Sequence, residues 1–164
     1  MPQCSDGRVP WPDFVVGDVG TTIAQMKDRK VSPIAALETE IAQAWADRGA
    51  RVRAALDGHP GLTLQTTAFR YRVSYDMDAG AFDNGAVHIA DDLGADALIS
   101  DNRFFDVLPR GVSKGPSLLL LVEYLGVART RVLAAGDTLN DLSMLVAPAC
   151  SMSPRWNVSL SRQS

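Results

Sequence analysis

Arg131-Val132-Leu133-Ala134-Ala135-Gly136-Asp137-Thr138-Leu139-Asn140-Asp141 is an apolar run that breaks into an acid-bearing turn. A short apolar run bounded by Gly-Asp reads as a fully buried strand over 131–135. Leu139 to Val146 then has the texture of a helix. One step upstream, Ser113 caps an apolar helix that runs to Leu125 and is stopped by Gly126. Helix, strand, loop, helix in this order is the pattern of a doubly wound α/β sheet, in which ligands sit beyond the carboxyl ends of the strands.

The turn after the strand carries the chemistry. Asp137 and Asp141 are four residues apart around one helical turn, with Asn140 beside them. Hard carboxylate oxygens at a strand mouth suit Mg²⁺, which keeps most of its waters and takes one or two carboxylates plus substrate phosphate. The same spacing also fits a plain cap, with Asp137 at the N-cap and Asp141 in the first turn. The apolar strand running straight into the turn favours the metal site. A second signal is Lys114, in Gly111-Val112-Ser113-Lys114-Gly115. A lysine at a helix N-terminus opposes the helix dipole, so a lysine placed there has an anion to hold.

Further upstream the texture changes. Phe14-Val15-Val16 reads as a short buried strand, followed by a loop or tight hairpin from Gly17 to Thr22. Ser32 is expected to cap a helix with Pro33 in its first position and Ile34, Leu37, Ile41 and Trp45 on its apolar face. A second helix is expected over 48–56, and Asp57-Gly58-His59-Pro60-Gly61 is a break. Leu62 to Thr66 and Phe69 to Tyr75 read as paired strands. A helix over 85–93 and strands over 97–100 and 104–108 complete a two-layer α+β set. Arg70 and Arg72 alternate on one of these strands, where they either face a phosphosugar or form a wet face; the wet face is expected for Arg70, and both stay open for Arg72. His59 and His88 have the placement of solvated or packing residues.

Composition narrows the class. The chain has 164 residues, 46% of them hydrophobic, and a net charge of −3. That is one ordinary domain or two small ones, without the basic face of a nucleic-acid binder. Cys4 and Cys150 can form at most one disulfide. The polar stretch from Met1 to Pro12 is not a signal peptide, and the longest apolar run, Leu118 to Val122, is too short to cross a membrane. A cytoplasmic protein acting on a small molecule, with no nucleic-acid or membrane partner, is the expectation.

Lys114 and the Gly136–Asp141 loop together resemble the third and fourth motifs of the haloacid dehalogenase superfamily. Phe105-Asp106-Val107-Leu108-Pro109 with Ser113-Lys114-Gly115 resembles its sucrose-phosphate phosphatase branch. Pro12-Asp13-Phe14-Val15-Val16 with Val19-Gly20-Thr21-Thr22-Ile23 is similar to the strand leading into that branch's inserted cap, and Arg72-Val73-Ser74-Tyr75 to a cap strand near the sugar. The resemblance implies an α/β fold: a partial Rossmann-like core with an inserted α+β cap of the C2 type. It divides the chain into a core segment and cap entry over 1–25, a cap over 26–104, a core segment over 105–147 and an irregular tail over 148–164. It implies a Mg²⁺-dependent phosphatase acting on a sugar phosphate, with Lys114 catalytic, Asp137 and Asp141 on the metal, and Asn140, Arg72 and Ser74 on phosphate or substrate.

Two motifs of that family have no counterpart in the expected place. The first, Asp-x-Asp with a following Thr, supplies the nucleophile and the paired acid and base. The second is a phosphate-binding Ser or Thr. Both are expected upstream of Pro12, so the chain reads as truncated and without turnover of its own. Two readings stay open. Asp18 could be a degenerate nucleophile with Thr22 as its Thr, or simply part of the cap entry. The chain is then either the phosphatase proper, or an incompetent fragment or degenerate homologue that only binds sugar phosphate or a partner chain.

Overall fold

Val73, Tyr75 and Met77 point to one side of a strand, Ser74 and Asp76 to the other, as the two-residue period of an extended chain requires. That alternation organises the larger part of the fold. The computed structural model describes residues 2–136, 141–146 and 150–152. In chain order it contains α1 (Pro2–Ser5), β1 (Phe14–Gly17), a 3-10 turn (Asp18–Gly20), β2 (Thr22–Lys27), β3 (Lys30–Pro33), α2 (Ala35–Trp45), α3 (Arg48–Ala55), β4 (Leu62–Leu64), β5 (Val73–Met77), α4 (Gly85–Asp92), β6 (Ala95–Ser100), β7 (Phe104–Pro109), α5 (Lys114–Tyr124), a second 3-10 turn (Arg129–Arg131), β8 (Val132–Ala134), α6 (Leu142–Leu145) and β9 (Cys150–Met152).

Strands β4, β5, β7 and β6 form an antiparallel sheet in that order. Its apolar face presents Val73, Tyr75, Phe105 and Val107 to Trp45 of α2, Val52 of α3, Leu56, and Ala86 and Ala90 of α4. Each large side chain buried there contributes roughly 1.5–3 kcal/mol. Strands β1, β2 and β3 form an antiparallel meander. A second cluster packs Ile23 of β2 against Ile41 of α2 and Leu121 of α5. Tyr71 touches both clusters, and α2 serves both through Ile41 and Trp45. Among the described residues no helix is long and apolar enough to cross a membrane.

Several elements differ from expectation. Ser32 and Pro33 do not open a helix. They end β3, where Ser32 pairs with Gln25 and Pro33 with Ala24, and α2 starts at Ala35. Proline favours an extended residue before it and tolerates a strand edge. Phe69 to Arg72 lie outside β5, which starts at Val73. The strand expected over 104–108 forms as β7, with Phe105 and Val107 on the apolar face of the sheet. Strand β8 is not fully buried: Ala134 is 5% exposed but Leu133 is 65% exposed. Its one ladder among the described residues is the parallel pairing with β9, which lies in the stretch expected to be irregular.

Candidate active site

The site is assembled where the loop after β1 meets the start of α5. Asp18 and Val19 take left-handed backbone angles, with φ of 50° and 60°, and Thr21 returns two hydrogen bonds to the Asp18 carbonyl, at 3.2 Å from its N–H and 2.9 Å from its hydroxyl. Gly20 follows at φ 104°. A β-carbon there would lie 2.6 Å from the Ser113 carbonyl oxygen and 2.7 Å from the Lys114 nitrogen. Only glycine satisfies both the angle and the contact. The buried Ser117 hydroxyl then donates to the Gly20 carbonyl at 2.6 Å, tying the loop to the first turn of α5.

Ser113 stands at the N-cap of α5 in an extended conformation, without a side-chain capping bond, and Lys114 is the first helical residue. The Gly115 N–H donates to the Ser143 hydroxyl of α6 at 3.1 Å, and a β-carbon on Gly115 would collide with the Ser143 carbonyl. Close approach of α6 brings Asp141 to Lys114. The Lys114 ammonium donates to Asp141 Oδ1 at 2.7 Å, with the two side chains 31% and 13% exposed. A cavity of about 590 Å³ adjoins this junction, lined by Val19, Leu98, Leu108, Val112, Ser113 and Ser143. Its sheet side is formed by Ala95, Ala97, Leu98 and Leu108.

Lys114 and Asp141 thus meet as expected. Asp137 and Asn140, the other two members of the loop, lie outside the described residues. Asp18 is exposed and accepts a hydrogen bond from the Thr22 hydroxyl at 2.7 Å. Arg72 and Ser74 come together elsewhere, on the polar face of the sheet. Both donate to Asp106 Oδ1, the Arg72 Nη1 at 2.7 Å and the Ser74 hydroxyl more tightly. Arg70 does not lie on a wet strand face. It grips both oxygens of Glu38 at 2.8 Å, and those hydrogen bonds hold its pKa above the ordinary arginine value.

Sequence patterning missed Asp106 and Glu38. Each had a visible signal. Asp106 is the one acid in the apolar run 104–109, and Glu38 falls on the buried stripe of α2 between Ile34 and Ile41. Glu38 is 5% exposed and also accepts from the Ile23 N–H at 3.3 Å.

For a divalent cation the donor chemistry fits in kind. Asp141 offers a largely buried carboxylate at the mouth of β8, and Mg²⁺ needs one or two such groups. Among the described residues no group of three potential ligand side chains converges, so Asp141 is the described contribution and Asp137 the expected second one.

Residues 1–153 match the sequence model of sucrose-6F-phosphate phosphohydrolase. The chain belongs to that family. Its place is in the sucrose-phosphatase branch of the haloacid dehalogenase superfamily, and its mixed α/β fold is theirs. A solved sucrose-phosphatase from Synechocystis, in complex with sucrose and phosphate, superimposes with a TM-score of 0.77 at 18% identity, covering 92% of this chain and 62% of that one. A haloacid dehalogenase-like hydrolase of Bacillus subtilis matches with a TM-score of 0.58 at 16% identity, over 91% and 60% of the two chains. Among curated relatives, the chain is 36% identical to a glucosylglycerol-phosphate synthase of Pseudomonas anguilliseptica, over 88% of this chain and 19% of the relative. It is 27% identical to a mannosylfructose-phosphate phosphatase of Agrobacterium fabrum, over 83% and 56%. The chain therefore spans about a fifth of the first curated relative and a little over half of the second.

Proposed function

We propose that the chain carries the phosphate-holding and metal-holding part of a sugar-phosphate phosphatase, for a substrate of the sucrose 6-phosphate type. The observation that carries this reading is the Lys114–Asp141 pair at the N-terminus of α5, next to a cavity of about 590 Å³ that Ser113 and Ser143 line. Lys114 supplies positive charge to a phosphoryl group, in a position where backbone N–H groups also point outward. Asp141 and Asp137 supply carboxylate oxygens to Mg²⁺, and Asn140 contacts phosphate. Bound there, Mg²⁺ would withdraw charge from the phosphoryl oxygens. Arg72 and Ser74 take the sugar side. The substrate is a small molecule, and a net charge of −3 does not favour a nucleic-acid partner; the expected setting is the cytoplasm.

A second reading is turnover by this chain itself, with Asp18 as a degenerate nucleophile. It rests on the place of Asp18 at the mouth of β1, where it is exposed, left-handed and hydrogen-bonded to Thr22. Phosphate release from sucrose 6-phosphate and a panel of hexose phosphates, with Mg²⁺, separates the two. The expected outcome is Mg²⁺-dependent substrate binding with no useful turnover by this chain. Turnover abolished by Asp18→Asn would make Asp18 the nucleophile. Failure to bind any sugar phosphate would overturn the proposal.

A further inference from the structure

Strand β6 is the outermost strand of the four-stranded sheet and pairs with β7 on its inner side. It runs six residues, Ala95 to Ser100, and carries one charge, Asp96. Its register with β7 is one-for-one throughout, without a bulge. Every second residue of an edge strand turns its N–H and C=O away from its neighbour. A flat edge of this length, without lysine, proline or bulge, is a template for a further strand unless it is covered.

The cavity of about 590 Å³ lies along this edge. Ala95, Asp96, Ala97 and Leu98 all line it, although consecutive strand residues point to opposite faces. A space that touches them in succession lies against the edge of the strand, not over one face. Val87 and Asp91 of α4 wall it on the side of the apolar face. Val112 and Pro116 wall it on the other side. The result is a trench between α4 and α5 with strand backbone at its floor. Helices on both sides leave room for one extended segment rather than for a second sheet. The trench is acidic at both ends. Asp91 and Asp96 stand where β6 begins, two carboxylates against the single guanidinium of Arg110. Asp101, exposed, follows where β6 ends.

The chain itself supplies a segment of matching pattern. Met152 pairs with Ala134 at the carboxyl end of β8. Two residues beyond Ala134, Gly136 abuts Asp141, which holds Lys114, and Ser143 lines the cavity. The chain after Met152 therefore sets out from the mouth of the trench. Ala95 pairs with Pro109, just before the cavity-lining Gly111, so this is the end at which β6 begins. Residues 153–164 lie outside the described residues; their sequence is Ser153-Pro154-Arg155-Trp156-Asn157-Val158-Ser159-Leu160-Ser161-Arg162-Gln163-Ser164. Trp156, Val158 and Leu160 alternate with Asn157, Ser159 and Ser161, the two-residue period of a half-buried strand. Arg155 and Arg162 flank them, and the segment has no acid. Nine extended residues span roughly 30 Å, more than β6 itself needs.

We propose that residues 154–162 add to the open edge of β6 as a further strand, parallel to it. Departure from the beginning of β6 sets the direction. Val158 beside Leu98 puts Trp156, Val158 and Leu160 on the face that Leu98 shares with Leu108, towards Val112 and Pro116. Arg155 then stands at the Asp91–Asp96 end and Arg162 at the Asp101 end, so cations meet acids at both. Backbone hydrogen bonds supply the attraction, and the alternating side chains fix the register. The inference does not depend on the sugar-phosphate reading.

The test is amide hydrogen exchange of the full chain at residues 95–100, read by NMR, with sedimentation to fix the oligomeric state. In a bare edge strand one alternate set of amides is bonded to its neighbour and the other exchanges freely. Wild type is expected to protect both sets, the outward one by about a hundredfold. Val158→Asp combined with Leu160→Asp is expected to remove protection from the outward set alone. Ser159→Thr, on the polar face of the segment, is expected to leave both sets protected. Circular dichroism confirms that each variant folds. Should the double variant fail to fold, Arg155→Glu decides, with protection of the outward set expected to fall severalfold. The proposal is overturned if the outward set exchanges freely in wild type, if a folded double variant keeps it protected, or if Arg155→Glu leaves it unchanged. Protection that arises only as the chain dimerises also overturns it, because the trench then belongs to a second copy.

Discussion

Lys114 Nζ lies 2.7 Å from Asp141 Oδ1, joining the first residue of α5 to the residue that precedes α6. A cation at a helix N-terminus is unfavourable on its own, and Asp141 offsets it. The pair therefore has unequal members. Asp141→Asn leaves a part-buried ammonium facing the helix dipole and is expected to cost about 1–2 kcal/mol. Lys114→Met removes both the ion pair and the adverse dipole interaction and is expected to cost less than about 1 kcal/mol. Urea unfolding of both variants checks this. Equal losses would mean the dipole plays no part.

Gly20 holds the loop after β1 against α5. Gly20→Ala meets a φ of 104° and the Ser113–Lys114 backbone at once. The expected loss is about 2 kcal/mol or more, from backbone strain and overpacking together. Because the displaced group is the peptide that carries Lys114, phosphate affinity should fall as well. Stability lost without any change in phosphate binding would separate the loop from the site.

Tyr75 has a buried hydroxyl with no hydrogen-bond partner, and burial pushes its pKa above the ordinary value. The folded state therefore holds the phenol proton more tightly than the unfolded chain does. This contribution is fully present below the unfolded pKa of about 10 and is lost as pH rises towards the folded value. Tyr75→Phe is expected to be neutral or stabilising by up to about 1 kcal/mol at pH 7, since it deletes an unsatisfied group. It should also flatten the loss of stability above pH 10 (the ordinary tyrosine value, about 10). Thermal melts of both proteins between neutral and alkaline pH measure the effect.

Glu38 joins three elements through one carboxylate: α2 carries it, β2 donates Ile23 N–H to it, and Arg70 grips both oxygens. Glu38→Gln keeps one acceptor but loses the fork. With Arg70 48% exposed, the expected loss is about 1–2 kcal/mol, discounted for solvent screening. Denaturant titration should show the larger loss in Arg70→Gln, which leaves the buried Glu38 carboxylate unpaired, and the smaller in Glu38→Gln, which leaves a half-exposed guanidinium.

The elements legible in the sequence were those with strong periodicity or hard punctuation. The apolar strand β1, helices α3 and α4, and helix α5 from Ser113 to its stop near Gly126 all stand close to their expected bounds. Where two signals competed, the local one misled. Ser32-Pro33 has the chemistry of a helix start, but pairing with Gln25 and Ala24 in the meander overrode it. Leu133 belongs to an apolar run, yet among the described residues β8 pairs with β9 alone and the Leu133 side chain is left outside. Lys114 and Asp141 were legible because a charge at a strand mouth or helix start is unusual in itself. Asp106 and Glu38 stood out locally as acids on apolar stripes, but their partners Arg72, Ser74 and Arg70 lie 32 to 34 residues away in the chain. Single-chain patterning does not register such pairs.

The central claim is that Lys114 holds a phosphoryl group together with a divalent cation. Its most direct test is calorimetric titration of the full chain with sucrose 6-phosphate, with and without Mg²⁺, for wild type and Lys114→Met. One site per chain is expected, strengthened by Mg²⁺ and weakened about tenfold or more in Lys114→Met, the equivalent of one lost charge-assisted contact. Equal affinity in wild type and a folded Lys114→Met, or binding indifferent to Mg²⁺, would contradict it.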